Sequence, residues 1–207
     1  MNSQGAGATN KVELKPGTHF VRLKFPTGIS MDVPRSWQVI GKDLNKVIET
    51  SSQATLDLSG IDLPKRDDVN LFAANCVPAT MYASVRLNVR RPALAKPDFI
   101  RALTKEQLVE MEKEDKAMLE KIAKQAPAFG IKDFLGTTKE EVGGNPAIVT
   151  HCRRFDGDTN GPTALVWVIQ IYAPERTYRL NLAYRETEEG FWRPVIKRIR
   201  DSVKIEP

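Results

Sequence analysis

Single-residue alternation marks the first strands of the chain. Over residues 18–25, Val21, Leu23 and Phe25 fall on one side and Phe20, Arg22 and Lys24 on the other, the period of a strand with one buried face. Pro26-Thr27-Gly28 reads as a turn, because proline presets φ and glycine accepts φ > 0. A second strand over 29–33 stops at Pro34, which has no N–H to give a ladder. Ser36-Trp37 then opens an irregular or one-turn helical piece. Leu44, Val47 and Ile48 recur at helical spacing, so a helix is predicted over 42–56 with Asp43 at its N-terminus. Residues 63–70 read as a charged connector. Strands follow over 71–76 and 79–91, the latter with Val85, Leu87 and Val89 alternating with Arg86, Asn88 and Arg90.

The sharpest local signal is a long helix. Thr104 followed by Gln107 forms a capping box, and Leu108, Met111, Met118, Leu119 and Ile122 make an apolar stripe. Asp115 interrupts that stripe and is placed near its solvent edge. Glu112 with Lys116 and Glu120 with Lys124 stand as i,i+4 pairs, and Ala126-Pro127 ends the helix. Beyond Gly130 the chain reads as strands. Residues 131–142 pair with 146–155 across Gly143-Gly144-Asn145. A strongly apolar strand covers 163–172, and over 177–185 Tyr178, Leu180, Leu182 and Tyr184 share one face. The chain closes in an amphipathic helix. Trp192, Val195, Ile196, Ile199 and Val203 form its stripe, Pro194 lies in its first turn, and Arg193, Lys197, Arg200 and Lys204 line the other side.

Composition bounds this picture without adding chemistry. The 207 residues are 41% hydrophobic and 28% charged, which fits one globular domain over 18–207. It follows a polar stretch over 1–17 that has no periodicity and is expected to be disordered. The apolar run over 164–169 is far short of the ~20 residues that span a bilayer. A net charge of +5 rests on 31 basic and 26 acidic residues that are interspersed, so a solvated surface is expected before a nucleic-acid site. The start of the chain lacks the charged and apolar regions of a signal peptide. That fits a cytoplasmic protein, and it fits equally a mature exported protein whose signal has been removed; export is the reading favoured here.

No catalytic pattern stands out. There is no G-x-S-x-G elbow, P-loop, HExxH or CxxC, and neither a cofactor nor a metal is predicted. Asp156-Gly-Asp158-Thr-Asn160-Gly161 matches the first half of a calcium loop, but Trp167 stands where the bidentate glutamate belongs, so a plain turn is expected. The histidines are His19 and His151. His151 and Cys152 are neighbours on a strand and must face opposite ways. Cys76 and Cys152 are read as buried free thiols, with one disulfide as the alternative. Glu140, Glu141, Glu188 and Glu189 are read as turn and cap charges. The surfaces that could take an anion are the side of the closing helix carrying Arg193, Lys197, Arg200 and Lys204, and the Arg86, Asn88 and Arg90 side of the middle strand. The aromatic residues fall at core-like positions, so nucleic acid is not expected as a partner.

The order of elements carries a resemblance. GISMDVPRSW over 28–37, with Gly28, Pro34 and Trp37, is followed by a helix, a strand pair, the long charged helix, NPAIVTHC over 145–152, and a closing helix running into Asp201-Ser202-Val203. This resembles the PsbP-like family, which shares its fold with the Mog-type Ran-binding proteins and with bacterial proteins of unassigned role. The resemblance spans residues 18–205. It implies an α+β fold: an α/β/α sandwich with a six- or seven-stranded, mostly antiparallel sheet between helices. It also implies a non-catalytic binding or adaptor role toward a protein partner, exported or envelope-associated, and it transfers no site residue. The alternatives are a small hydrolase-like enzyme and a binder of anionic surfaces through the closing helix.

Overall fold

The structure, a computed structural model, describes residues 19–40, 68–125, 130–156 and 159–206. The predicted tail over 1–17 and the predicted helix over 42–56 lie outside the described residues. In chain order the strands are β1 (Phe20–Lys24), β2 (Ile29–Pro34), β3 (Gln38–Val39), β4 (Asp68–Asn75) and β5 (Ala83–Arg90). Helices α1 (Pro97–Ala102) and α2 (Lys105–Gln125) follow, then β6 (Ile131–Val142), β7 (Asn145–Phe155), β8 (Thr163–Tyr172) and β9 (Thr177–Arg185). Helix α3 (Glu189–Asp201) and β10 (Lys204–Ile205) close the chain.

Seven strands pair antiparallel in the order β3-β4-β5-β9-β8-β7-β6, and β1-β2-β10 form a separate three-stranded sheet. On one face of the large sheet Val85, Leu87, Tyr178, Leu180, Leu182, Ile169 and Val149 are buried under Trp192, Val195, Ile196 and Ile199 of α3 and under Ile29, Met31 and Val33 of the small sheet. The other face carries α1 and α2, packed on β7 and β6; there Ile100 and Leu103 meet Ile148 and Tyr172, with Leu108 and Met111 against them. The architecture is therefore α+β, helices on both faces of an antiparallel sheet, with the three-stranded sheet as an addition to the expected plan.

Several predicted elements take a different form. Asp68–Asn70 begin β4 rather than belonging to a connector, because Asp68 is held by Arg179 at 2.9 Å, a partner 111 residues away in sequence. Gln38–Val39, expected to be irregular or helical, pair as a short edge strand with β4. Pro97–Ala102 form a helix that the apolar pattern did not mark. Its last carbonyls are capped by Lys139, whose Nζ donates to the oxygens of Arg101 and Leu103 at 2.7 Å each. Helix α3 starts at Glu189, so Pro194 lies inside it rather than in its first turn. It ends at Asp201, which leaves Val203 and Lys204 beyond the helix.

The capping box of α2 has the predicted geometry: Gln107 N–H donates to Thr104 Oγ1 at 3.2 Å, and Thr104 N–H donates to Gln107 Oε1 at 2.9 Å. Glu112 takes a tertiary partner in place of a simple i,i+4 role, accepting the N–H of Thr137 at 3.3 Å on the edge strand β6. This occupies a backbone donor that would otherwise invite another strand. The side chains of Met118 and Ile122 lie outside the described residues. Asp115 is half-buried rather than at the solvent edge, and burial pushes its carboxyl above the usual range.

Candidate binding face

The chemistry-bearing residues fall into three groups, and two of them are used up inside the fold. On the α1/α2 face of the sheet, Arg86 folds back onto the carbonyls of Ala74 and Val85, at 2.9 Å each, and onto Asn75 Oδ1 at 2.8 Å. Burial lowers the pKa of its guanidinium. Beside it, Asn88 Oδ1 and Asn181 Oδ1 are buried without a hydrogen-bond donor among the described residues. This side of the middle strand was one of the two anion surfaces expected from the sequence, and its central cation is spent on backbone.

The second group clamps the β9–α3 corner. Arg153 donates from Nε and Nη2 to the two oxygens of Glu186 at 2.8 and 2.7 Å, and from Nη1 to Asp133 at 2.6 Å. Arg185 bridges Asp156 and Glu188, both at 3.0 Å. Glu188 also accepts the Tyr82 N–H at 3.1 Å and the Trp192 indole N–H at 2.7 Å. Asp156 is thus held by a guanidinium, and Asp158 of the calcium-like turn lies outside the described residues. Among the described residues no group of three His, Cys, Asp or Glu side chains is placed to hold a metal ion.

The third group lies on the α3 side. Trp167 on β8 and His151 on β7 are direct cross-strand partners. Their rings lie 5.2 Å apart, tilted by 49°, and both are half-buried. The body of Trp167 packs on the main core. Burial lowers the His151 pKa; Glu140 opposes that shift while Arg200 and Arg193 add to it. The imidazole therefore sits among charges from α3 and β6. Arg193 and Arg200 are two turns apart on α3, and Lys197 stands between them on the same side. Arg200 is committed to an ion pair with Glu140. Arg193 and Lys197 keep 64% and 67% of their side-chain surface exposed and, among the described residues, make only i,i+4 pairs, with Glu189 at 3.0 Å and Asp201 at 3.6 Å. Such exposed pairs are weak, so both cations can exchange partners.

Of the four predicted anion-face residues, Arg193, Lys197 and Arg200 come together and Lys204 does not. Lys204 lies on β10, paired with Ser30. In the sequence Trp167 stands out only as a misfit in a calcium loop and His151 only as a neighbour of Cys152. Their pairing depends on the β7–β8 register, and the uninterrupted apolar run of β8 gave no sign of which side chains face α3. The two cysteines are free and buried, with Cys152 on the face opposite His151, beside Val166 and Ala183.

Ser202 accounts for the closing Asp-Ser-Val. Its Oγ accepts the Asp32 N–H at 2.8 Å and its hydroxyl donates to the Ile199 carbonyl at 2.8 Å, joining the end of α3 to β2. The elements so joined make an α+β protein, and comparison with solved structures shows its fold to be PsbP-like. Among solved structures the chain is similar to the cyanobacterial PsbP (CyanoP) from Synechocystis sp. PCC 6803, with a TM-score of 0.54 and 9% identity over 97% of this chain and 98% of that one. It is also similar to LpqN of Mycobacterium tuberculosis, described as involved in cell envelope biogenesis, with a TM-score of 0.51 and 13% identity over 91% of each chain. At these identities the likeness is one of fold. No family model and no curated protein matches the sequence. No helix among the described residues is long and apolar enough to cross a membrane.

Proposed function

We propose that the protein is a non-catalytic binding module that engages an acidic surface of a protein partner through α3 and the neighbouring Trp167–His151 pair, and that it acts in the cell envelope. The observation that carries this reading is the half-exposed aromatic pair with Arg193 acting on its imidazole and the exposed Lys197 one turn further along α3. Aromatic rings with a packed body and a free edge, flanked by arginine, are the usual anchors of protein interfaces. The envelope setting rests on the shared fold with LpqN, and fold likeness is a weaker ground than a site.

Intrinsic fluorescence tests the reading, because Trp37 and Trp192 are buried and Trp167 is the more accessible indole. Adding poly-glutamate is expected to produce a saturable change that weakens with salt and disappears in the Arg193→Glu/Lys197→Glu variant. Poly-lysine is expected to do nothing. No response to poly-glutamate, or one that survives the double charge reversal, overturns the proposal.

A further inference from the structure

Apart from that face, the structure has a concave feature at the β6–β7 and β8–β9 turns. A groove of about 450 Å³ runs between the C-terminal strand and the turns of the large sheet, lined by Asn145, Ala173, Glu175, Arg176, Ile205 and Glu206. Its size is within the ~300–1,000 Å³ of ligand-binding clefts. One wall is a strand edge. Among the described residues β10 pairs with β2 alone, in the register Lys204↔Ser30 and Ile205↔Ile29, and the Glu206 N–H donates to the Gly28 carbonyl at 2.8 Å. Backbone groups alternate in direction along an antiparallel strand. With Glu206 and Lys204 turned toward β2, the N–H and C=O of Ile205 point away from it, on the side of the groove.

The charges of the groove have one net sign. Glu175 is 80% exposed at its side chain and Glu206 is exposed. Arg176, the cation among the lining residues, is largely buried at 19% and donates to the Thr27 carbonyl, which also receives the Tyr178 hydroxyl. Its Nη2 also lies 3.8 Å from Glu175, a long pair to an exposed carboxylate and therefore a weak one, so the groove sets two solvent-facing carboxylates against one largely buried guanidinium.

We propose that β10 takes up an extended peptide segment by strand addition: the peptide backbone pairs with Ile205, and a basic side chain of the peptide meets Glu175 and Glu206. Strand addition supplies affinity through main-chain hydrogen bonds and selectivity through alternate side chains. The groove and the Trp167 face share no residue, so either can fail without the other.

The test titrates the full ¹⁵N-labelled chain with Ac-Lys-Val-Lys-Val-Lys-NH2 and, separately, with Ac-Glu-Val-Glu-Val-Glu-NH2. The lysine peptide is expected to shift the amides of Asn145, Ala173, Glu175, Arg176, Ile205 and Glu206, with the glutamate peptide markedly weaker. Ile205→Pro removes the outward N–H and leaves the β2 pairing, which does not use it, in place. It should weaken binding about five- to tenfold, the loss of one hydrogen bond, while Ile205→Val binds normally. If Ile205→Pro does not fold, Glu175→Lys/Glu206→Lys, made at exposed positions, decides alone and should reverse the preference between the two peptides. Absence of shifts at millimolar lysine peptide, equal binding of both peptides, or affinity unchanged in the variants overturns the proposal.

Discussion

The indoles of Trp37 and Trp192 meet edge to face, their centroids 5.8 Å apart and their planes at 79°. Both are buried, at 6% and 3% exposure. Phe191 also meets Trp192 edge to face, at 4.7 Å. The pair ties the turn after Pro34 to α3, and so ties the small sheet's connection to the helix that covers the large one.

Trp37→Ala should therefore cost about 3–5 kcal/mol, the usual range for deleting a buried aromatic side chain. Urea denaturation of the two proteins measures it. A loss below about 1 kcal/mol, the scale of an ordinary substitution, would show that Trp37 is not part of the core, and its role would have to be sought in binding.

Gly143 and Gly144 form the β6–β7 turn with φ of +60° and +78°, but their surroundings differ. A Cβ on Gly143 would come within 3.1 Å of the Val203 carbonyl oxygen and 3.2 Å of its Cγ1, whereas one on Gly144 meets nothing within 4 Å among the described residues. Gly144→Ala should cost the ~1–2 kcal/mol of a left-handed alanine. Gly143→Ala should cost more, because Val203 must also move. Equal losses in thermal denaturation would remove the turn's contact with Val203 from the list of things that hold the C-terminal segment in place.

That contact also explains one misreading. Val203 continues the stripe of α3 at i+11 from Trp192, so helical periodicity alone extends the helix through it and places Lys204 on the basic side. Val203 is buried for another reason: the chain turns at Ser202 and drops it against Gly143. Where one face of an element meets the core and the other does not, the pattern is readable; Tyr178, Leu180, Leu182 and Tyr184 on β9 are such a case, as is the Thr104–Gln107 cap. Where both faces are covered, as along β8, no period remains to assign Trp167. Two-residue strands such as β3 and β10 are too short to have a period at all. The candidate face was half legible, its cations by helical spacing and its aromatic floor only by strand register.

Asp115 gives a pH-linked prediction. Its half-buried carboxyl is held above its ordinary pKa by desolvation, with the nearby Glu114 adding to the effect. Between the unfolded value near 3.9 and the raised native one, the folded protein binds the extra proton. Stability from this group is therefore greatest at low pH and falls as pH rises through that interval. Asp115→Leu, which restores the apolar stripe, should stabilise by about 0.5–2 kcal/mol at pH 7. The gain should shrink at pH 3, where the wild-type carboxyl is protonated. A variant no more stable than wild type at pH 7 would contradict the desolvation.

The thiols give a chemical check on the core. Burial pushes Cys152 up to about 11 and raises Cys76, whose Sγ also accepts the Ala83 N–H at 3.0 Å. A thiolate is the reactive species, so the native protein at pH 8 should react slowly with a disulfide reagent. The unfolded protein should release two equivalents at once, matching two free cysteines. Release of none would mean a disulfide, and fast native reaction would mean that the strands carrying them open readily.

The Arg153–Glu186 pair carries the opposite pH dependence. The Glu186 carboxyl is held below its usual range, first by the hydrogen bonds from Arg153 and then by the Thr163 hydroxyl at 2.5 Å. A depressed folded value means that the unfolded state binds the proton first as pH falls. The stabilisation is therefore present above the unfolded value near 4.3 and is lost as pH drops through the native one. Both partners are partly exposed, at 27% and 33% of their side chains, so water weakens the pair and about 1 kcal/mol is the scale to expect at pH 7. Glu186→Gln should lower stability by that order at pH 7 and by much less at pH 2, bringing the two acid-denaturation curves together. Because Glu186 opens the turn between β9 and α3, the same variant should increase amide exchange at residues 186–190 before it affects the sheet. Curves that stay parallel from pH 7 to pH 2 would place the effect in packing rather than in charge.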